Sequence, residues 1–171
     1  MKKSVALHLS KQNFKFSSAH FLIFDDHSAE MLHGHNYQVR VQIAIPEQMM
    51  SEKDIQGKIG YAIDFNIIKK YIKSELDRWD EHILLPRLHP DMKYKISADR
   101  KNHEVSFRDR FYSFPADEII WLDVTNTSVE QLSQILAENF IHEFSKYGIR
   151  KIKVEVEETR GQSASTTLSK V

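Results

Sequence analysis

The fold is decided by the stretch His33–Ile45, which reads HGHNYQVRVQIAI. Its odd-numbered positions hold histidine, tyrosine, valine and isoleucine, whereas asparagine, glutamine and arginine are confined to the even-numbered ones. A period of two between apolar and polar residues is typical of a β-strand that is buried on one face. We therefore predict a strand over this whole stretch, with His33 and His35 continuing its apolar face.

A second strand is predicted before it and also ends in a histidine. Residues 13–20 alternate with the same period, and Phe14, Phe16 and His20 share one parity. Residues 21–31 are polar at their centre, which indicates a loop. Two neighbouring strands therefore flank a polar loop, and each has histidine at the end that meets it.

Two helices are predicted from capping residues and from apolar spacing. Asp64 is a suitable N-cap for a helix whose apolar residues recur every three or four positions and which ends near Trp79. Ser128 and Gln131 form a capping-box pair at the start of a second helix, which should stop at Gly148. The signals at both ends of the second helix agree.

The remaining segments complete an α+β domain. Residues 93–114 alternate weakly around a polar turn at 99–102, which predicts an inserted β-hairpin. A last strand places an isoleucine, two valines and Glu158 on one face, and residues 160–171 are predicted to be a polar tail. This order of elements in 171 residues predicts one α+β domain over residues 1–171.

Composition excludes several classes of partner and of site. Acidic and basic residues balance at 24 each, so no net charge would draw the chain to nucleic acid or to an anionic membrane. No stretch approaches the roughly 20 apolar residues of a membrane span, and we expect a soluble, cytoplasmic protein. Since the chain has no cysteine, any metal must be held by histidine and carboxylate side chains.

Three histidines could meet where the two predicted strands approach the loop. Side chains two apart on a strand project to the same side roughly 7 Å apart, so His33 and His35 can aim at one point, while Gly34 leaves the opposite face open. His20 is placed to add a third ligand. Three histidines with one open position are typical of catalytic zinc, although each could instead be a hydrogen-bonded residue at a strand end.

These residues resemble the zinc-binding pattern of the 6-pyruvoyltetrahydropterin synthase family, which includes the bacterial 6-carboxytetrahydropterin synthases of queuosine synthesis. The pattern is carried by FSSAH at 16–20 and by EMLHGHNY at 30–37. Four further segments match in the right order: YAIDF at 61–65, DEHILL at 80–85, TSVE at 127–130 and ET at 158–159. The resemblance covers residues 14–159 apart from the inserted hairpin.

The resemblance implies a fold, an assembly and a substrate. Members of the family have the tunnelling fold, an antiparallel sheet with two helices on one face. Their sheets join across subunits to form a ring, and two such trimeric rings usually pair into a homohexamer. Active sites lie between subunits and bind a small dihydropterin. In this family Zn²⁺ binds the side-chain hydroxyl groups of the substrate. A glutamate near the C-terminal end of the sequence, which by position is Glu158 here, binds the pterin ring.

The residues themselves agree with a binding role for Glu158. A carboxylate on an apolar strand face is costly unless it is paired, and the amino and NH groups of a pterin ring could pair it. The alternative is a glutamate at a strand end that simply reaches solvent. By resemblance, Thr127 and Ser128 at the start of the second helix are further expected substrate contacts.

The residue expected to act as base departs from the family pattern. Members that make 6-pyruvoyl- or 6-carboxytetrahydropterin use a cysteine, which in the latter lies four residues before the first histidine of His-Gly-His, and here Ala29 stands there. Glu30 creates a Glu-x-x-His-Gly-His pattern, which is similar to the branch that converts 7,8-dihydroneopterin into 6-hydroxymethyl-7,8-dihydropterin. We expect Glu30 to be the acid and base of a retro-aldol step, the alternative being a loop carboxylate or a partner of a ligand histidine.

The segment around His82 departs from the family pattern as well. The family has an aspartate followed directly by a histidine, whereas Glu81 separates Asp80 from His82 here. We expect His82 to act as a proton shuttle, with either Asp80 or Glu81 holding its imidazole in one tautomer. The alternative is a solvated or hydrogen-bonded histidine near a helix end.

The sequence leaves three functional hypotheses open. The first is a zinc-dependent lyase that acts on 7,8-dihydroneopterin or its triphosphate and forms 6-hydroxymethyl-7,8-dihydropterin. The second is a 6-carboxytetrahydropterin synthase of queuosine biosynthesis in which Glu30 replaces the cysteine. The third is an oligomer that binds pterin rings without turnover. They differ in turnover and in the need for a polyphosphate site.

Overall fold

The computed structural model describes residues 5–50 and 61–170 of the chain. Numbered in chain order, its strands are β1 Val5–Leu9, β2 Lys15–His20, β3 His33–Ile45, β4 His82–Pro86, β5 Met92–Ile96, β6 Asn102–Phe107, β7 Arg110–Pro115, β8 Ile119–Leu122, β9 Lys151–Thr159 and β10 Gln162–Ser169. The helices are α1 Phe65–Asp77, between β3 and β4, and α2 Val129–Phe144, between β8 and β9. Short 3-10 turns cover Glu47–Met50 and Ser145–Tyr147.

Strand β3 is the centre of the main sheet and has the bounds that its alternation predicts. Its first half pairs with β2 and its second half with β1, both on the side opposite to β9. The strand order is β10-β9-β3-β2-β4-β8. The expected antiparallel pairing holds among β1, β2, β3, β9 and β10, but it is wrong for β4, which runs parallel to β2, and for β8, which runs parallel to β4. The connection from β2 to β4 contains β3 and α1, and that from β4 to β8 contains the inserted strands, so each is long enough to return the chain to the same end of the sheet, as parallel pairing requires.

Both helices form where the sequence predicts them, and both N-cap residues are confirmed. The Asp64 carboxylate accepts a hydrogen bond from the backbone N–H of Asn66 at the start of α1, and the Ser128 hydroxyl accepts one from Gln131 at the start of α2. The capping box is only half formed, because Oε1 of Gln131 accepts from the backbone N–H of Asn126 rather than from that of Ser128. Gly148 ends the turn after α2 with a φ of 85°, in the left-handed region that glycine adopts without strain. Among the described residues, no helix has the length and apolar character needed to cross a membrane.

The two helices pack on one face of the main sheet and enclose its core. Buried residues of this core come from β3, β9 and both helices: Tyr37, Val39, Val41, Ile43, Ile68, Ile72, Leu76, Leu132, Leu136, Phe140, Ile152, Val154 and Val156. The side chains of His20, His33 and His35 continue the same face of β2 and β3 beyond this core. The packing of the core therefore fixes the backbone from which these histidines project.

The inserted segment is a three-stranded antiparallel sheet, β5-β6-β7, and the predicted simple hairpin over 93–114 is corrected accordingly. The predicted polar turn joins β5 to β6, and a second turn at Arg108 and Asp109 joins β6 to β7. Arg108 has a φ of 55° in this turn, so no glycine marks it in the sequence. A second apolar cluster, built around Phe21, Ile23 and Phe107, packs this sheet against the loop at 21–32 and against β4 and β8.

The predicted polar tail at 160–171 is wrong for most of its length, because Gln162–Ser169 form β10. This strand pairs with β9 from Gln162 to Ser169. Every second side chain is half-buried, and the Thr166 hydroxyl lies 2.8 Å from the hydroxyl of Ser133 on α2. Pairing with a neighbouring strand and contact with α2 thus order a segment whose serine- and threonine-rich composition alone indicates a tail.

Candidate metal centre and active site

The structure brings the three predicted histidines together at the end of β2 and the start of β3. His20 lies opposite His33 in the antiparallel ladder, and His35 follows two positions later on the same face. One ring nitrogen from each histidine lies within 4.8 Å of the other two. His20 is fully buried, while the His33 and His35 side chains remain 37% and 24% exposed, which leaves one side of the cluster open to a ligand.

Backbone carbonyl groups fix the tautomers of two of these histidines. Nδ1–H of His20 donates to the carbonyl oxygen of Thr127 at 3.1 Å, and Nδ1–H of His33 donates to that of Met31 at 2.8 Å. Since a carbonyl oxygen can only accept, the hydrogen lies on Nδ1, and Nε2 carries a lone pair that faces the cluster. Burial lowers the pKa of His20, although the nearby Glu158 carboxylate and the Thr127 carbonyl act in the opposite direction.

The centre of the cluster has more lone pairs than hydrogens to share among them. Nε2 of His33 lies 2.8 Å from Nε2 of His35, and Nε2 of His20 lies 3.1 Å from Oε1 of Glu158. Neutral imidazole nitrogens and a carboxylate oxygen repel at such distances unless a cation or a proton lies between them. The donor set of three imidazoles with an open side therefore fits a divalent metal ion such as zinc.

Tyr37 also belongs to this site, although the sequence pattern predicts for it only a place on the apolar face of β3. Its hydroxyl donates to Oε1 of Glu158 at 3.1 Å and lies 3.0 Å from Nε2 of His20. Burial and the Glu158 carboxylate raise the pKa of Tyr37, so the hydroxyl keeps its hydrogen. The signal in the sequence is that Tyr37 follows His35 by two positions and thus shares its face of β3.

Glu158 itself lies at the edge of the histidine cluster, as the alternation of β9 predicts. Besides its contacts with Tyr37 and His20, Oε1 lies 3.7 Å from Nε2 of His35. The side chain is 16% exposed, so the carboxylate is neither free in solvent nor sealed in the core. This position leaves Oε2 to accept hydrogen bonds from a ligand that enters the open side.

Glu30 approaches the cluster from the loop between β2 and β3. Its Oε2 lies 3.7 Å from Nε2 of His33 and accepts a hydrogen bond from the backbone N–H of Leu22 at 3.0 Å. The backbone N–H of Glu30 donates to the carbonyl oxygen of Leu22 at 2.8 Å, and the bridge between Ile23 and Ala29 closes the loop. Glu30 is therefore held in place through both its main chain and its carboxylate.

His82, at the start of β4, has a different partner from either of the two that the sequence suggests. Its Nδ1–H donates to the backbone carbonyl oxygen of Asp80 at 2.6 Å. The Asp80 carboxylate accepts from the backbone N–H of Ser17 at 2.7 Å, and Glu81 has a φ of 59° in the tight turn before β4. A carbonyl group, and neither the Asp80 nor the Glu81 carboxylate, thus orients the imidazole and leaves Nε2 as a proton acceptor.

A cavity beside His82 reaches one residue of the histidine cluster, His35. It has a volume of about 430 Å³, and both His35 and His82 line it, together with Gly34, Asn36 and Ser17. Gly34 meets only the Ser18 carbonyl oxygen near the position of a side chain, at 3.6 Å. Ser17, Gly34 and Asn36 lie on the opposite face of β2 and β3 from His20 and His33, neither of which lines the cavity, so the cavity opens on that opposite face.

Thr127 and Ser128 already have hydrogen-bond partners within the chain. Thr127 is fully buried; its carbonyl group orients His20 and its hydroxyl donates to the carbonyl oxygen of Phe21 at 3.2 Å. The Ser128 hydroxyl caps α2 by accepting from the N–H of Gln131. Thr127 thus orients His20, a candidate metal ligand, and Ser128 caps the start of α2.

Comparison with known proteins places this fold and site in a family. The family model described as 6-pyruvoyl tetrahydropterin synthase matches residues 8–168. A Methanocaldococcus jannaschii protein, provisionally named 6-carboxy-5,6,7,8-tetrahydropterin synthase, is 29% identical over 153 residues, which are 88% of this chain and 87% of that protein. A Rickettsia felis protein named 6-carboxy-5,6,7,8-tetrahydropterin synthase is 30% identical over 82 residues, 48% of this chain and 52% of that protein.

Solved structures agree with this placement. The 6-pyruvoyl tetrahydropterin synthase of Plasmodium falciparum is 26% identical with a TM-score of 0.83 and covers 98% of this chain and 99% of its own. A variant of the Plasmodium vivax enzyme, in which a glutamate described as a catalytic residue is replaced by alanine, has the same coverage, 23% identity and a TM-score of 0.84. The architecture is thus the tunnelling fold, in a single domain. The chain belongs to the 6-pyruvoyl tetrahydropterin synthase family.

Proposed function

We propose that this chain is a zinc-dependent lyase that acts on the side chain of 7,8-dihydroneopterin or its triphosphate, with 6-hydroxymethyl-7,8-dihydropterin as the product. The observation that carries the proposal is the position of Glu30, whose carboxylate lies 3.7 Å from Nε2 of His33 at the open side of the histidine cluster. A general base must lie within reach of the proton that it removes. Glu30 meets this requirement for a hydroxyl group held at the cluster.

His20, His33 and His35 are the residues that would hold the zinc ion. When bound, zinc supplies Lewis-acid chemistry, which lowers the pKa of a coordinated hydroxyl group. The two backbone carbonyl groups that fix the imidazoles of His20 and His33 act as the outer partners that metal-binding histidines require.

The chain's own residues account for the proton transfers of a retro-aldol cleavage. Glu30 removes the proton from the 2′-hydroxyl, the C1′–C2′ bond breaks, and its electron pair is delocalised from C1′ into the N5=C6 bond of the pterin ring. C2′ and C3′ leave as glycolaldehyde from 7,8-dihydroneopterin, or as the triphosphate ester of glycolaldehyde from the triphosphate. C1′ then takes up a proton. The N–H of Leu22 orients the Glu30 carboxylate. His82, which lines the same cavity as His35, is proposed to shuttle the returning proton.

Glu158 is proposed to bind the pterin ring. Tyr37 donates to Oε1, and Oε2 can accept from the amino and NH groups of the ring. Ser128 is proposed as a further contact through the remaining lone pair of its hydroxyl group. The expected substrate contact of Thr127 does not fit the structure, because Thr127 is fully buried and orients His20 instead.

The position of Ala29 supports Glu30 as the base. Ala29 occupies the place of the family's cysteine, but its side chain packs with the second apolar cluster that holds the inserted sheet. A catalytic glutamate in the structurally similar Plasmodium vivax enzyme also supports a carboxylate in this role.

The names of the curated relatives favour a second candidate function. Two relatives, 29% identical over 153 residues and 30% identical over 82 residues, are named 6-carboxytetrahydropterin synthases. By the resemblance, such a reaction belongs to queuosine synthesis and starts from the triphosphate. Glu30 would replace the cysteine in that reaction. The third candidate, an oligomer that binds pterins without turnover, is excluded by turnover of either substrate.

We further propose a homo-oligomer in which sheets join across subunits, with six chains in two trimers. The main sheet ends in β8 and β10, and such edge strands carry unpaired backbone groups that another chain can satisfy. Six chains of 20.1 kDa give a mass of about 121 kDa, which light scattering after size-exclusion chromatography would detect. A monomer mass would contradict the assembly and would leave the site chemistry to be tested separately.

The deciding experiment incubates the zinc-loaded protein with 7,8-dihydroneopterin and, separately, with its triphosphate, followed by mass spectrometry of the products. Release of 6-hydroxymethyl-7,8-dihydropterin and glycolaldehyde, lost in Glu30→Gln, supports the lyase. A 6-carboxytetrahydropterin product with release of triphosphate supports the second candidate. Binding of pterin with no product from either substrate supports the third and refutes the first two.

A further inference from the structure

We propose that Arg110, on the inserted sheet, is a positioning residue that holds Glu30 in its place beside the histidine cluster. The proposal rests on the catalytic role proposed for Glu30. It gives the inserted sheet a function, since the sheet supplies none of the histidines. Arg110 is the first residue of β7 and follows the tight turn between β6 and β7.

The guanidinium group of Arg110 binds the main chain on both sides of the Glu30 nitrogen. Nη1 donates to the carbonyl oxygen of Glu30, and Nη2 donates to the carbonyl oxygen of Ala29 at 3.1 Å. The fixed fork of a guanidinium holds two acceptors in one relative orientation, which a single ammonium group cannot do. Arg110 therefore fixes the two carbonyl groups that flank the backbone of Glu30.

The inserted sheet holds Arg110 itself in place. Its guanidinium carbon lies 5.9 Å from the ring centres of both Phe21 and Phe107. Both rings are buried in the second apolar cluster, and one belongs to the loop while the other belongs to β6. The arginine thus spans the junction between the inserted sheet and the loop that carries Glu30.

A neighbouring arginine provides a matched comparison. Arg108 lies in the same turn, and its Nη2 donates to the carbonyl oxygen of Asp25 in the same loop, while its Nε donates to the Asp91 carboxylate at 2.8 Å. It therefore contacts the loop five residues away from Glu30. If Arg110 acts through Glu30, loss of Arg110 should impair turnover much more than loss of Arg108.

The remaining contacts of Glu30 explain why the effect should be on rate. The two hydrogen bonds with Leu22 can keep the loop folded without Arg110, but they leave the peptide planes on either side of Glu30 less restrained. A misplacement of about 1 Å can reduce a rate by up to about 100-fold when a reacting group must be aligned. Because the three histidines project from β2 and β3, and only His33 among them hydrogen-bonds to a described residue of the loop, at the carbonyl oxygen of Met31, metal content should change little.

The test compares Arg110→Met, Arg110→Lys and Arg108→Met in the zinc-loaded, full-length protein. We expect kcat to fall about tenfold or more in Arg110→Met, less in Arg110→Lys and by less than about twofold in Arg108→Met, with KM and zinc content near those of the wild type. In a Glu30→Gln background, Arg110→Met should lower the residual rate no further. An undiminished kcat, or an equal loss in the Glu30→Gln background, would overturn the proposal.

A second measurement separates this proposal from the proposed function. Hydrogen exchange should increase in peptides covering residues 22–32 of Arg110→Met and stay unchanged in β9, whether or not the wild type turns over a pterin. If Arg110→Met does not fold, Arg110→Lys is measured in its place. Unchanged exchange at 22–32 would refute the positioning role, whereas absence of wild-type turnover with increased exchange would refute only the function proposed for Glu30.

Discussion

Replacement of Tyr37 by phenylalanine tests the hydrogen bonding at the centre of the site. Phenylalanine keeps the ring, which is fully buried and stacks on Phe16 at 4.6 Å, and removes only the hydroxyl. That hydroxyl is the donor to Oε1 of Glu158. A hydrogen bond to a charged group contributes roughly 1.5–3 kcal/mol, and because Glu158 is 16% exposed, water should replace part of it. We expect a loss of about 1–2 kcal/mol in the free energy of unfolding.

For a chain of this length, that loss corresponds to a decrease of about 2–8 °C in Tm. Thermal unfolding of the metal-free protein measures it, with Tyr71→Phe as the matched control. The structure gives the Tyr71 ring aromatic contacts with Phe140 and Phe144 and, among the described residues, no hydrogen bond from its hydroxyl. If Tyr37→Phe lowers Tm no more than this control does, the hydroxyl is not a required donor and the reasoning is wrong.

Three further predictions concern the metal, the pH and the base. Replacement of any one of the three cluster histidines by alanine should abolish zinc binding. Elemental analysis should find about one zinc ion per chain in the wild type and in His142→Ala, a control at an exposed histidine. Burial lowers the pKa of His20, so in mildly acidic solution the unfolded chain binds a proton that the folded chain does not. The metal-free protein should therefore lose stability as the pH falls below about 6.5, and this loss should be less steep in His20→Asn. Urea unfolding at several pH values would measure it. Ala29→Cys should not restore pterin turnover to Glu30→Gln, because the side chain at position 29 faces the apolar cluster.

The elements that the sequence predicts correctly are those specified by local patterns. The alternation of 33–45 marks β3 because half of this strand faces a core, and Asp64 and Ser128 mark the starts of α1 and α2 because they cap the first turn. In each case the residues that carry the signal are also the ones that make the contact.

The elements that the sequence misses depend on partners distant in the chain. Strand β10 is polar, and its order comes from pairing with β9 and from the Thr166 contact with Ser133 on α2. The third strand of the insert follows a turn in which Arg108 adopts a left-handed conformation without glycine. Strands β4 and β8 are short and pair in parallel, and no alternation of apolar and polar residues in their sequences predicts this pairing.

The same division applies to the site. The parity of β2 and β3 predicts that His20, His33 and His35 share a face, and the structure brings them together. The role of Tyr37 depends on Glu158, which is 121 positions away in the chain. The partner of His82 is the backbone carbonyl group of Asp80. Every residue has such a group, so the sequence does not single it out as a carboxylate side chain does.

The division between strands and loop also bears on how one metal site can serve different reactions. The histidines project from paired strands whose register a core enforces, so their positions cannot change without loss of the fold. The proposed base, Glu30, comes from the loop, where the bridge between Ile23 and Ala29 accompanies a side chain at position 29 that packs in the apolar cluster and one at position 30 that lies beside His33. A cysteine at position 29 could reach the metal only if this loop took another path. If Glu30 is the base, the choice of base is coupled to the conformation of the loop whose Ala29 and Glu30 carbonyl groups Arg110 binds, and exchange of the base alone should not exchange the reaction.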